Sequence, residues 1–137
     1  MDKVSPINEE YIYSGNAIVS QTDEKGVITY VNRAFCESSG YRSDELVGQM
    51  HTIIRHPDMP KTIFAKMWES LNSAHAWNGL IKNLRSDGKF YWLETEILPI
   101  LDDNSTITGF IAVMKEASRK DINETMQTYK KMLDTQE

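Results

Sequence analysis

The sequence predicts an α+β fold in which a five-stranded antiparallel sheet carries several short helices and one longer helix on one face. Two strand-like runs stand near the start of the chain, a segment with helical patterns follows, and three more strand-like runs come after it. Strands separated by turn signals and grouped apart from the helices are typical of antiparallel sheets. The length of 137 residues fits one domain with one core.

The first two strands are predicted to form a β-hairpin. The runs AIVSQT, from Ala17, and VITYV, from Val27, are rich in β-branched residues and flank the turn-forming sequence DEKG. Asn32 follows the second run, where its side chain can either cap a helix or contact a ligand. The sequence NRAFCESSGYRSDELVG then predicts two short helices that are separated at Gly40.

A longer helix is predicted to begin near Pro60. Two prolines in the preceding sequence IIRHPDMP exclude a helix through it, and Asp58 stands where it can cap the next helix. The apolar residues then recur at helical spacing on one side: Ile63, Phe64, Met67, Trp68 and Leu71. Taken alone, Trp68 is better explained as a core residue than as part of a cofactor site, and the same holds for Trp77 beyond the helix.

The last three strands are predicted to form an antiparallel meander. The runs WNGLIKNLR, FYWLETEILPI and TITGFIAVMKE are separated by the turn sequences SDGK and DDNS. In the middle run, every second residue forms a face that we expect to point toward the core: Tyr91, Leu93, Thr95 and Ile97. The sheet is therefore expected to be covered on one side only.

We divide the chain into an N-terminal arm or cap helix (1–16), a central domain (17–117) and an exit helix (118–137). The exit helix has a narrow apolar stripe formed by Ile122, Met126, Tyr129 and Leu133. A helix of about four turns with so narrow a stripe needs a partner. That partner is a second copy in a homodimer, another protein, or a helical N-terminal arm.

Composition excludes several classes of function. The formal net charge of -5 is spread along the chain, which argues against nucleic acid as a partner. The sequence contains neither a membrane span nor a secretory signal, so we expect a cytoplasmic protein. Its single cysteine, Cys36, cannot form an internal disulfide and is interpreted as a buried filler. Hydrolase and nucleotide-binding motifs are absent, as is metal-ligand spacing, and we expect no enzymatic activity.

The hexad RHPDMP (55–60) allows two interpretations. It is either a proline-braced corner in which Asp58 caps the next helix, or a cationic, hydrogen-bonding rim of a cavity between helix and sheet. Asn83 favours the cavity, because its parity in WNGLIKNLR places it on one face with Trp77, Gly79 and Ile81. An amide that faces inward must find a hydrogen-bond partner.

Ordered motifs in this chain resemble those of PAS domains. They are GxITYVNxAFxxxSGY, ELVGQ, RHPDMP, FxxMW and WNGLIKNLRSDGKFYWLE, within a stretch from about Thr22 to Ala117. Inside the PAS family, the RHPDMP block and the WxGxxKNxRxxGxxYW run resemble the sensory domains of aerotaxis receptors and their stand-alone relatives in energy taxis. The chain departs from the family at Glu116-Ala117-Ser118-Arg119, where an Asp-x-Thr exit is frequent.

The resemblance implies a non-covalently bound FAD whose redox state is signalled to a methyl-accepting chemotaxis-type transducer. By motif position it assigns flavin binding to Asn32, Arg55, His56, Asp58 and Asn83, with Phe64, Trp68 and Trp77 as aromatic walls. The flavin would supply the electron chemistry and the protein its surroundings. Two alternatives remain: a PAS gas sensor that binds haem b through His51, His56 or His75, and a ligand-free PAS module for dimerisation or docking.

Overall fold

Residues 3–136 are described by the computed structural model, and they form an open antiparallel sheet with helices on both of its faces. The strands are β1 (Ile18–Asp23), β2 (Ile28–Val31), β3 (Trp77–Leu84), β4 (Phe90–Leu101) and β5 (Ile107–Glu116). The α-helices are α1 (Arg33–Ser39), α2 (Ser43–Leu46), α3 (Lys61–Asn72) and α4 (Arg119–Gln136), and a 3₁₀ helix spans His51–Ile54.

The order of the strands across the sheet is β2-β1-β5-β4-β3, and all neighbours are antiparallel. The hairpin and the meander predicted from the sequence are therefore confirmed. The two units join through β1 and β5, where Ile18 lies opposite Met114 and Ser20 lies opposite Ala112. This pairing brings the first and last strands together at the centre of the sheet.

Local hydrogen bonds fix the hairpin turn. The Asp23 carboxylate accepts from the backbone N–H groups of Lys25 and Val27, at 2.9 and 3.0 Å. Gly26 has a φ of 89°, in the left-handed region that favours glycine. Turns of this composition need no tertiary contact to be recognised, which is why the hairpin is visible in the sequence.

The inner face of the sheet packs against the segment between β2 and β3. Its buried core includes Ile18, Tyr91, Leu93 and Met114 from the strands and Phe35, Leu46 and Ile54 from the helical segment. Tyr91 and Leu93 are each 1% exposed, so the alternation of β4 places its inner face as predicted. This packing fixes the helical segment over the sheet and leaves the space beneath α3 for the site.

The N-terminal segment is an extended arm in its described part, residues 3–16, and the alternative of a cap helix is not formed there. Glu10 makes an isolated parallel bridge with Phe90, and the Tyr11 N–H donates to the Phe90 carbonyl at 2.8 Å. Arg119, at the start of α4, forms an ion pair with Glu10 at 2.8 Å. The arm therefore contacts both the first residue of β4 and the beginning of the exit helix.

Helix α4 packs on the outer face of the sheet of its own chain, a partner that the sequence did not indicate. Ile122 and Tyr129 are buried there against Trp92, whose ring is tilted by 33° from that of Tyr129. The Tyr129 hydroxyl donates to the Leu80 carbonyl at 2.6 Å. Met126 remains 47% exposed, so the predicted stripe is only partly a packing surface.

Candidate functional site

A cavity of about 120 Å³ lies between the inner face of the sheet and the layer formed by α3 and the 3₁₀ helix. By the same measure a water molecule needs about 10–15 Å³, so the cavity has room for roughly ten. Four strands contribute to its floor: Ser20, Thr22, Ile81, Asn83, Thr95, Ile97, Phe110, Ala112 and Met114. The roof is formed by residues that include His51, Ile54, Arg55, Phe64, Met67 and Trp68.

One wall of the cavity is polar and lies at the edge strand β3. Asn83 is 3% exposed and lines the cavity, and its amide nitrogen donates to the Ile81 carbonyl at 3.2 Å. The backbone of Arg55 forms an antiparallel bridge with that of Asn83, which holds the end of the 3₁₀ segment against this strand. The inward parity predicted for Asn83 agrees with this position.

Aromatic rings cover the cavity from α3. The Arg55 guanidinium carbon lies 3.9 Å from the centre of the Phe64 ring, a cation–π arrangement that orients both side chains. The Trp68 ring stands edge-on to Phe110, with centroids 5.3 Å apart. Because both rings are held by neighbours of the cavity, they form a preformed apolar wall.

Trp77 lies next to this wall but outside the lining of the cavity. Its ring covers Gly79, where a Cβ atom would lie 2.7 Å from the indole. Trp77 also packs against the residues of α3 in two hydrophobic clusters. The absence of a side chain at Gly79 therefore allows Trp77 to support the wall from one side.

His56 and Asp58 form a corner beside β3 and do not line the cavity. The Asp58 N–H donates to Nδ1 of His56 at 3.0 Å, and the exposed Asp58 carboxylate accepts from Nζ of Lys82 at 3.0 Å. Helix α3 begins after Pro60, which occupies the N-cap position and makes no side-chain capping hydrogen bond; the cap that the sequence predicts for Asp58 stays a prediction. Burial lowers the pKa of His56, and the nearby Lys82 ammonium acts in the same direction.

Asn32 also lies outside the lining of the cavity, and its amide is occupied by the backbone. Its Oδ1 accepts from the Phe35 N–H, as an N-cap, and from the Val19 N–H, both at 3.0 Å. Its Nδ2 donates to the Ala17 carbonyl at 2.9 Å. Of the two interpretations of Asn32, the structure shows the helix cap directly.

A second polar group faces the cavity from β1, and the sequence analysis missed it. Ser20 is completely buried, and its Oγ lies 3.0 Å from Nε2 of His51. Burial lowers the pKa of His51 to about 4, so its imidazole is neutral at pH 7. The available sequence signal was parity, because Ser20 lies two residues from both Ile18 and Thr22 and shares the inner face of β1 with them.

Only one of the three histidines lines the cavity. His51 does so, His56 stands in the corner beside β3, and His75 is exposed after the end of α3. Nε2 of His51 is already hydrogen bonded to Ser20. In the part of the chain described, no three His, Cys, Asp or Glu side chains are grouped so that they could hold a metal ion.

The five-stranded antiparallel sheet encloses a largely apolar cavity beneath the helices. Residues 10–117 match the family model of the PAS fold, and the chain belongs to the PAS family. The assignment made from the sequence motifs is thereby confirmed. The fold and the family together identify a PAS sensor domain.

Two relatives and one solved structure illustrate the similarity. The aerotaxis receptor of Escherichia coli K12 is 37% identical over 113 residues, which are 82% of this chain and 22% of that protein. The nitrogen fixation regulatory protein of Klebsiella pneumoniae is 28% identical over 107 residues, 78% of this chain and 22% of that one. A light-oxygen-voltage domain studied with a flavin analogue has a TM-score of 0.71 at 18% identity and covers 85% of this chain and 87% of its own.

The chain spans about a fifth of the length of these two curated relatives. Over residues 3–136, none of the helices combines the length and the apolar character needed to cross a lipid bilayer.

Proposed function

We propose that this PAS domain binds FAD non-covalently in the cavity and signals its redox state to a chemotaxis-type transducer. The observation that carries the proposal is the buried amide of Asn83, which faces an otherwise largely apolar cavity beside Arg55. The resemblance of the RHPDMP and WNGLIKN motifs to aerotaxis-type domains, together with the 37% identity to an aerotaxis receptor, supports the choice of ligand. The role is sensory and not catalytic.

The residues of the cavity fit the chemistry of a flavin. Its isoalloxazine is a planar ring system with an apolar benzenoid end and a pyrimidine edge that carries both hydrogen-bond donors and acceptors. An amide also carries both, so Asn83 is suited to that edge, while Phe64 and Trp68 offer apolar surface to the ring. Roughly ten water molecules occupy about 300 Å³ as liquid, which is comparable with a three-ring heterocycle.

The eight residues assigned by motif then fall into two groups. Those in the lining of the cavity, Arg55, Phe64, Trp68 and Asn83, are proposed to contact the cofactor. The other four are proposed to affect cofactor binding indirectly, because they hold the contacting residues and their surroundings in place. His56 and Asp58 brace the corner after Arg55, Trp77 supports the aromatic wall, and Asn32 joins β1 to α1.

The protein residues supply binding and orientation, and the bound flavin would supply reversible electron transfer. A change in its hydrogen bonding reaches β5 through the sheet, and β5 leads at Glu116 into the segment before α4. The N-terminal arm contacts α4 through the Glu10–Arg119 ion pair, so a change at the start of α4 would affect both terminal segments. We therefore propose that α4 and the arm pass the signal to a homodimer partner or to a methyl-accepting transducer, in the cytoplasm or at a membrane-bound receptor.

The spectrum of the freshly purified protein tests the choice of ligand. We expect flavin absorption bands and the release of intact FAD on denaturation. A Soret band would instead indicate haem b, and a colourless protein that takes up no added FAD would favour the ligand-free docking module. Either result would overturn the proposal.

The variant Asn83→Ala tests the assignment of the amide. Loss of a hydrogen-bonding partner in a buried site costs about 1–3 kcal/mol, which weakens FAD binding by about 5- to 150-fold. Asn78→Ala is the matched control, because Asn78 lies on the same strand with its side chain exposed. Unchanged FAD affinity in a folded Asn83→Ala protein would contradict the assignment.

A further inference from the structure

The outer face of the sheet is only partly covered by α4. The helix packs against Trp92, near the start of β4, and against Leu80 on β3. Leu98, six residues further along β4, is 38% exposed. At about 3.3 Å per residue, it lies roughly 20 Å from Trp92. Within residues 3–136, the outer face around Leu98 is therefore left open by the exit helix.

Side chains from four neighbouring strands form one row across this open part of the face. Tyr30 lies opposite Gln21, which on its other side lies opposite Ile111. Ile111 in turn lies opposite Leu98, so the row crosses β2, β1, β5 and β4. Directly opposite residues of antiparallel strands share a face. Because Ala112, next to Ile111, lines the cavity, the row points to the outer face.

The rows on either side of this one add further apolar side chains. Val19 lies opposite Val113, and Ile100 follows Leu98 on the same face of β4. We call the whole area the outer patch, and its apolar members are Val19, Tyr30, Leu98, Ile100, Ile111 and Val113. All of them are exposed or half-buried. A contiguous apolar area of this kind on a protein surface marks a site of contact with another protein.

The border of the outer patch carries charges of both signs. Glu94 and Glu96 are exposed on β4, and Nζ of Lys115 lies 3.8 Å from the Glu94 carboxylate. A partner of a single sign would meet a like charge at this border, whereas a second copy can place its ammonium group against the carboxylates. The Gln21 amide inside the patch carries both donors and acceptors, so it is complementary to itself. These properties fit a second copy of this chain.

We propose that the outer patch is the interface of a weak homodimer in which two sheets pack face to face. Strands about 4.8 Å apart and rows about 6.7 Å apart give four strands by three rows an area of roughly 20 by 20 Å. Two copies would bury about 800 Å² in total, less than the roughly 1,200–2,000 Å² of stable complexes. Association is therefore reversible and depends on protein concentration. This interface goes beyond the proposed function, which does not locate the second copy, and it requires no particular ligand.

Strand β5 connects the outer patch to the cavity. Phe110, Ala112 and Met114 line the cavity, and Ile111 and Val113 between them belong to the outer patch. Alternate residues of one strand thus face the ligand site and the second copy. A shift of β5 at the cavity would reach this interface without passing through α4.

NMR of the wild-type protein at several concentrations tests the interface without any substitution. Backbone amide spectra are compared between about 500 and 10 μM, because an interface of this size gives micromolar or weaker association. We expect shifts on dilution at Ile111, Val113 and Leu98, and none at Val47 in the helical layer. Spectra that do not change over this range, or shifts confined to α4 and the N-terminal arm, would overturn the proposal.

Sedimentation equilibrium of two lysine variants measures the effect of a charge in the outer patch. Leu98→Lys places its ammonium group beside Glu96 on the same face of β4, so the monomer has a local partner for it. Burial of this charge between two apolar patches should raise the dimer dissociation constant by at least about tenfold. Val47→Lys is the matched control: it adds the same charge at a side chain that is 48% exposed after α2, and the constant should not change.

Tyr30→Ala removes an exposed ring at the other end of the row and should weaken association in the same direction. Equal dissociation constants for Leu98→Lys, Tyr30→Ala and the wild type would contradict the interface. The outcome is separate from the choice of ligand: a colourless wild type that takes up no FAD but dimerises through the outer patch would overturn the proposed function and support this interface.

Discussion

The variant Tyr129→Phe should loosen the exit helix while it leaves the sheet intact. Tyr129 is 8% exposed, and burial raises its pKa to about 12. The substitution removes only the hydroxyl that donates to the Leu80 carbonyl at 2.6 Å. A buried acceptor left without its donor costs about 1–3 kcal/mol, so the equilibrium for opening of α4 should rise by about 5- to 150-fold.

Hydrogen exchange measured by mass spectrometry resolves this effect along the chain. Peptides from α4 should exchange faster in Tyr129→Phe, while those from β4 and β5 should not change, because α4 opens locally. Met126→Ala is the control: Met126 lies on the same helix, is 47% exposed, and should alter stability by no more than about 0.5 kcal/mol.

Docking of α4 is also opposed by the structure beneath it. The indole N–H of Trp92 is buried and finds no acceptor among residues 3–136. Because this donor could bond to water once α4 opens, the docked helix is less stable than its buried area suggests.

If α4 exchanges equally in the wild type and in Tyr129→Phe, or if Met126→Ala has the same effect, the contact with Leu80 does not hold the helix.

Two further predictions concern stability. The pKa of His51 is about 4 in the folded protein and ordinarily about 6.5, so the unfolded chain binds more protons between these pH values. The free energy of unfolding should therefore fall by up to roughly 3 kcal/mol as the pH decreases from about 6.5 to 4. Urea unfolding measures this change, and His51→Gln should reduce it. Asn32→Ala removes three hydrogen bonds to the backbone and should lower the free energy of unfolding by about 1–3 kcal/mol. The control Asn104→Ala, in the exposed β4–β5 turn, should have little effect. Equal urea midpoints for the two variants would exclude the capping role of Asn32.

The elements that could be predicted from sequence are those whose signal is local. Alternation along β3 and β4 placed Asn83 and Tyr91 inward, because successive side chains of a strand point to opposite faces. Helical spacing likewise placed Ile63, Met67 and Leu71 on the buried side of α3.

The features that could not be predicted depend on residues distant in the chain. The carboxylate of Asp58 pairs with Lys82, which is 24 residues away in the chain. The apolar stripe of α4 indicated that the helix needs a packing partner but did not identify it. The folded structure shows that this partner is the outer face of the sheet around Trp92. In the same way, nothing local joins Ser20 to His51.

The proposed function depends most on flavin lying in the cavity against Asn83. NMR of the FAD-loaded protein measures this contact directly, through nuclear Overhauser effects between the isoalloxazine ring and assigned side chains. We predict such effects to the side-chain amide of Asn83 and to the Trp68 ring, and none to Asn78 on the opposite face of β3. Effects confined to residues outside the cavity, with the Asn83 amide unchanged on addition of FAD, would contradict the binding of flavin in this cavity.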